Sequence, residues 1–237
     1  MWIRKPSNII SKVLSPAVKL WLRSQLDHVD ILKMKIQGSD SQMWGGYIPK
    51  ILLNTKGVVY QGLHLEQADV TGENIRINIG QVIQGKPLQL LEPIQILGEV
   101  KLTEKDLQTS LTSSLLNDAF QELLVTLLVY QHVSDPRHTL DHYKIVWRRV
   151  ILNKLGFELQ GLITRNEVSK EIIIEGQLEL ISSQSLRLIF LKAEGLPELN
   201  DNSLGDLELD LGSDVMIESL KLEDNQLFCQ VKLLVRP

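Results

Sequence analysis

From Val29 onward the dominant signal along the chain is alternation of apolar and polar residues. Ile75, Ile77 and Ile79 alternate with Arg76 and Asn78, the period-two pattern of a half-buried strand. Val70 stands in the opposite phase across Thr71-Gly72-Glu73-Asn74, which predicts a turn there. Further strands are predicted at 29–37, 47–54, 57–60, 63–70 and 94–102, punctuated by Gly57, Gly62, Gly72, Gly80 and Gly85. The pattern resumes at 143–152, 156–164, 170–180, 186–193, 215–222 and 227–235. Connections as short as Arg165-Asn166-Glu167 imply antiparallel neighbours, because parallel crossovers need a dozen residues or more.

Two stretches carry helical periodicity instead. Over 7–26, Ile9, Ile10, Val13, Leu14, Ala17, Leu20 and Trp21 fall within an arc of about 140°. Pro16 lies in its middle and is expected to kink the helix or start it afresh. Between the strand groups, Thr103 followed by Asp106 predicts a capping box for a short helix over 104–111. A second helix starts at Ser113 or Ser114 and runs to about 130. It places Leu116, Phe120, Leu123, Leu124, Leu127 and Leu128 on one side, and its only charges are Asp118 and Glu122. A helix this apolar is buried or lines an apolar cavity. The reading is α+β and strand-rich. Residues 1–27 form an N-terminal amphipathic helix belonging to the same domain as 28–237, the polar run 195–205 being a long loop rather than a boundary.

Charge sharpens the picture of the first helix. The chain has 237 residues and a net charge of −4, yet Arg4, Lys5, Lys12, Lys19 and Arg23 precede the first acid, Asp27. A basic end on an acidic body points towards an anionic surface, most simply a membrane. The mildly acidic total argues against nucleic acid, which needs clustered positive charge. Lys12 and Lys19 break any apolar run long enough for a secretory signal or a spanning helix, so neither is expected. Two placements remain for this helix: packed on its own domain, or lying in a membrane interface with Trp2 and Trp21 as anchors. The two are compatible if it docks on the domain with its basic edge outward.

Composition and motifs narrow the chemistry. Aromatic residues make up only 5% while leucine fills roughly a sixth of the chain, so the core is aliphatic and pliable. The single cysteine, Cys229, sits on a strand pattern without a local base and reads as structural. His132, His138 and His142 crowd one segment with Asp135 and Asp141. His138 and His142 have i, i+4 spacing, but Asp135-Pro136 predicts a loop there, and a solvated loop is favoured over a metal site. Gly85-Lys86-Pro87 lacks the frame of a phosphate loop, and no HExxH or GxSxG occurs, so no catalytic constellation is expected.

A resemblance adds to this reading. The run from Lys56 to Leu65, Lys-Gly-Val-Val-Tyr-Gln-Gly-Leu-His-Leu, is followed by Ile75 to Ile79, Gly85-Lys86, and residues 93–102 leading into Thr103-Glu104-Lys105-Asp106-Leu107. Together with a closing strand ending Val235-Arg236-Pro237, it resembles the LmeA-like phospholipid-binding family in the form common in cyanobacteria, over nearly the whole chain. The resemblance implies a fold similar to the tubular lipid-binding (TULIP) domains, in which a highly curved antiparallel sheet wraps a long helix and leaves an apolar groove. It also implies phospholipid or another acyl lipid as partner, no cofactor, no metal and no catalytic residues. Exported relatives carry a signal or lipid anchor, whereas no cleavable signal or lipobox cysteine is read here, so a cytoplasm-facing peripheral membrane protein is expected. The expected groove residues are Leu116, Phe120, Leu123, Leu124 and Leu127, contacting acyl chains or the sheet. The expected membrane-docking residues are Trp2, Arg4, Lys5, Lys12, Lys19, Trp21 and Arg23. The competing expectations are a protein-interaction scaffold without lipid and a lipid-acting enzyme centred on the His132 to His142 segment.

Overall fold

The computed structural model describes residues 9–154, 156–198, 206–223 and 225–237, with side chains from residue 14 on except at 191. Among the described residues the chain is α+β with about 55% strand and 24% helix, in two antiparallel sheets that do not close into a barrel. It begins with α1 (Ile9–Ser24), β1 (His28–Gln37), α2 (Asp40–Trp44), β2 (Tyr47–Tyr60), β3 (Leu63–Arg76), α3 (Ile79–Ile83) and β4 (Ile94–Thr103). Then come α4 (Glu104–Ser110), α5 (Ser114–Tyr130) and α6 (Pro136–Asp141). The second half is β5 (Lys144–Asn153), β6 (Gly156–Arg165), β7 (Val168–Ser182), β8 (Ser185–Glu194), β9 (Asp206–Asp210), β10 (Val215–Glu223) and β11 (Gln226–Val235).

Sheet order is β1-β2-β3-β4-β11-β10 in the first sheet and β5-β6-β7-β8-β9 in the second. The final hairpin therefore leaves its sequence neighbours and returns to the first sheet, where Val231 pairs with Gly98 and Leu227 with Leu102. Cross-strand rows show one continuous aliphatic face. One row reads Ile36, Ile51, Gly72, Ile96, Leu233 and Val215; the next reads Met34, Leu53, Val70, Gly98, Val231 and Ile217. The opposite face carries Lys33, Asn54, Asp69, Glu99, Gln230 and Ser219 in one row, the polar side of a half-solvated antiparallel sheet.

Two core clusters result. One end of the first sheet is capped by α1, α2 and α3, burying Leu14, Val18, Met43, Ile48, Ile75 and Val82. The second sheet packs Val150, Leu159, Ile172, Ile174 and Leu188 against Leu124, Leu127 and Leu128 of α5. Burying one such leucine contributes roughly 1.5–3 kcal/mol relative to leaving it exposed.

Four expectations are corrected, the first being the strand read over Ile75 to Ile79: β3 ends at Arg76, and Ile79 opens α3. Residues 71–74 are not a turn: β3 runs through them, and Thr71 and Gly72 pair with Leu52 and Ile51 on one side and with Leu97 and Ile96 on the other. The predicted gap at 55–56 also closes, because β2 passes straight through Gly57 at φ +57°, where a Cβ would lie 1.9 Å from Asp30 Oδ2. A left-handed glycine inside a paired strand is a local twist, which sequence alone reads as a break. Asp135-Pro136 opens α6 rather than a loop, with Asp135 Oδ1 accepting the His138 N–H at 3.2 Å and proline at the first helical turn, where it loses no bond. Pro16 lies inside α1, and the helix runs on across it to Ser24.

Candidate functional site

A concavity lined by apolar side chains lies where the two sheets meet. α4 sets it up. Thr103 and Asp106 form the expected capping box, with the Thr103 N–H donating to Asp106 Oδ2 at 2.9 Å and the Asp106 N–H to Thr103 Oγ1 at 3.1 Å. On one side α4 covers the free edge of β5. Gln108 Nε2 donates to the Arg148 carbonyl at 2.6 Å, and the Val150 and Leu152 N–H groups donate to Gln108 Oε1 and Glu104 Oε2. Strand edges that stay unpaired invite association, and these side chains satisfy this one internally. On the other side fully buried Ser110 accepts the His64 N–H at 2.7 Å and so ties α4 to β3.

With α4 held between the sheets, Leu107 and Leu111 face a cavity of about 270 Å³. α5 supplies its second wall, capped at its start by Ser113 Oγ, which accepts the Leu116 N–H. Leu116, Ala119, Phe120 and Leu123 line the cavity from the first half of α5. Val150, Leu152, Phe157, Leu159, Leu178, Leu188 and Leu209 line it from the second sheet, and Leu222 and Leu227 from the first. Every one of these side chains is apolar. Phe120 is held edge-on to Trp147, ring centres 5.3 Å apart at 63°.

The five predicted groove residues therefore divide. Leu116, Phe120 and Leu123 reach the cavity, whereas Leu124 and Leu127 are 2% exposed and packed in the dry core beyond it. All sit on one apolar side of α5; the first half of the helix spans an open space and the second half meets α6 and the sheet. Periodicity marks the side but not the point along it where packing closes. The lining from Leu178, Leu188, Leu209, Leu222 and Leu227 carried only strand signal, since opposing strands converge there through tertiary pairing alone.

An aliphatic path continues from the cavity along the first sheet. Leu102, Leu227 and Leu222 form one row, and Leu32, Thr55, Ala68, Val100, Cys229 and Leu220 the next. Leu32, Val100, Cys229 and Leu220 are half-buried and belong to neither core cluster. Burial in this strip raises the Cys229 thiol above its ordinary pKa. A larger depression of about 480 Å³ lies on the opposite, polar face, where Gln67 bonds Asp69 and Gln230 bonds Glu99. That lining suits polar groups rather than an acyl chain.

At the far end, α1 packs on the domain. Leu14 and Val18 are buried, and Ala17, Trp21 and Leu22 lean on the same cluster, while Lys19 and Arg23 are exposed. Trp2, Arg4 and Lys5 lie outside the described residues, and Lys12 is described only by its backbone in α1. The His138 ring on α6 meets the ring of His142, which caps that helix, edge to face, ring centres 4.7 Å apart at 72°. Among the described residues no group of three or more His, Cys, Asp or Glu side chains is placed to hold a metal ion. No described helix is long and apolar enough to cross a membrane.

No curated protein and no solved structure matches the chain. A family model described as LmeA-like phospholipid-binding matches residues 6–232, and with that coverage, on a fold holding an all-apolar cavity, the chain belongs to the LmeA-like phospholipid-binding family.

Proposed function

We propose that this protein is a non-catalytic phospholipid-binding module that takes an acyl chain between α5 and the second sheet, in a TULIP-like arrangement, and docks peripherally on anionic membrane. The observation that carries the reading is the cavity lined entirely by apolar side chains in a chain of this family. At about 270 Å³ it lies near the lower edge of the roughly 300–1,000 Å³ typical of ligand pockets, so it suits part of one chain rather than a whole lipid. The half-buried strip through Leu220, Cys229 and Val100 supplies further apolar surface for the rest. Because cavity walls come from both sheets, residues 28–237 act as one lipid-binding domain with α1 docked on it.

Docking follows from α1. Its apolar side rests on the domain and leaves Lys19 and Arg23 outward, where cations are attracted to the anionic lipids of a cytoplasm-facing leaflet. Lipid transfer between membranes would use the same two parts, one to hold cargo and one to touch the bilayer.

Native mass spectrometry of gently purified protein, followed by lipid extraction, tests the binding. A stoichiometric phospholipid is expected; clean apoprotein that also takes no lipid from anionic vesicles would leave the protein a membrane scaffold. Lys12→Glu, Lys19→Glu and Arg23→Glu together should abolish binding to anionic vesicles at low salt, and wild-type binding by that variant would remove the electrostatic docking step.

A further inference from the structure

Resting on the membrane-docking part of that reading, we propose that the pole capped by α1, α2 and α3 is a membrane-inserting tip. Trp44, Ile83 and Leu91, together with Leu20 of α1, enter the interfacial layer of an anionic phospholipid bilayer. The pattern is the same in each element: one apolar residue goes into the core and a close neighbour goes to solvent. Met43 is buried and Trp44 is 53% exposed; Val82 is buried and Ile83 is 48% exposed. Leu90 is buried and Leu91 is 57% exposed; Val18 is buried and Leu20 is 72% exposed.

Singly exposed hydrophobic residues are ordinary on a protein surface and need no explanation. These four differ because their elements are fastened to one another. The Ile77 N–H at the start of α3 donates to the Gly46 carbonyl just after α2, at 2.9 Å. The Leu91 N–H donates to the Arg76 carbonyl at 2.9 Å, and Asn78 is bonded both to Gln89 and to the Pro87 carbonyl. α1 lies against α2. Buried residues of all these segments share one core cluster, so the tip is held before it meets anything and has little ordering entropy left to lose on binding.

A bilayer fits this surface better than a protein partner. Tryptophan with aliphatic neighbours is the composition that settles at the headgroup boundary. Lys12, Lys19, Arg23 and Lys86 outnumber Asp40 and Glu92 in the same segments, which matches an anionic surface. A cleft of about 420 Å³ opens beside the tip, between Trp21 of α1 and the Leu88 to Leu90 segment, with Gln25, Gln89 and Arg236 in its lining, Arg236 itself paired with Asp214, so the inserted elements border a space for polar headgroups.

The test is co-sedimentation of the full chain with vesicles of phosphatidylcholine and phosphatidylglycerol, using the variant W44S/I83S/L91S and the control V146S/V168S, whose residues are exposed on the second sheet. Co-purified lipid per protein is measured on the same samples. At least a tenfold loss of vesicle affinity by the tip variant is expected, with unfolding midpoint, lipid content and the control's affinity unchanged. Wild-type affinity in the tip variant, an equal loss in the control, or failure of the unaltered protein to bind vesicles would each overturn the proposal. So would a wild-type dimer that the tip variant converts to monomer, since the surface would then join two copies. Lipid content decides the cavity reading separately: a protein that sheds no lipid yet needs the tip for vesicle binding keeps this proposal and loses that one.

Discussion

Leu123 and Leu124 are adjacent on α5, chemically identical, and assigned by the structure to different surroundings, which makes them a sharp test of where the cavity ends. Leu124 is 2% exposed within the packed cluster of the second sheet, so Leu124→Ala opens a new void. Such truncations cost about 3–5 kcal/mol, the transfer of the lost carbons plus the cavity left behind. Leu123 is half-buried and already borders an open space of about 270 Å³. Leu123→Ala widens that space instead of creating one. It forfeits about half the transfer free energy of three carbons, roughly 1 kcal/mol at about 0.8 kcal/mol per methylene. For a chain of this size one kcal/mol moves the thermal midpoint by about 2–4 °C, so Leu124→Ala should lower it by about 6–20 °C and Leu123→Ala by about 2–4 °C. Urea unfolding of lipid-stripped protein, followed by far-ultraviolet circular dichroism, reads the same difference as a midpoint shift at constant slope. Equal losses at the two positions, or a larger loss at Leu123, would refute the boundary between cavity and core.

Two further outcomes follow from the fold. Gly156→Ala should be severely destabilising, because a Cβ there would sit 1.9 Å from the Gly176 carbonyl oxygen across the β6–β7 pairing; a soluble variant with an unchanged unfolding midpoint would contradict that register. Cys229 should react slowly with a thiol reagent at pH 8, since burial raises its pKa and leaves less thiolate, and the rate should climb only at pH above the usual thiol range. Stripping lipid should speed the reaction if the strip through Cys229 carries cargo, and identical rates in loaded and stripped protein would confine the lipid to the α5 cavity.

The sequence by itself determined the main strands and the helices α1, α4 and α5. Alternation located the main strands, because each has one face in a core and one in water; the capping box at Thr103 placed the start of α4, and the start of α5, read as Ser113 or Ser114, has Ser113 as its cap. It also segregated Lys12, Lys19 and Arg23 onto one side of α1. Local signals misread Gly57 and Gly72, where strand pairing on both sides outweighs the preference of glycine for turns, and Asp135-Pro136, where the same two residues that suit a turn also suit a helix start. Tertiary structure alone decided the rest. The return of β10 and β11 to pair with β4 brings Leu222 and Leu227 to the wall facing Leu116 and Phe120, a convergence no local pattern encodes because it joins residues a hundred positions apart. Whether an apolar residue is cavity wall or dry core, as between Leu123 and Leu124, depends on what stands opposite, and hydrophobic transfer drives both out of water in the same way.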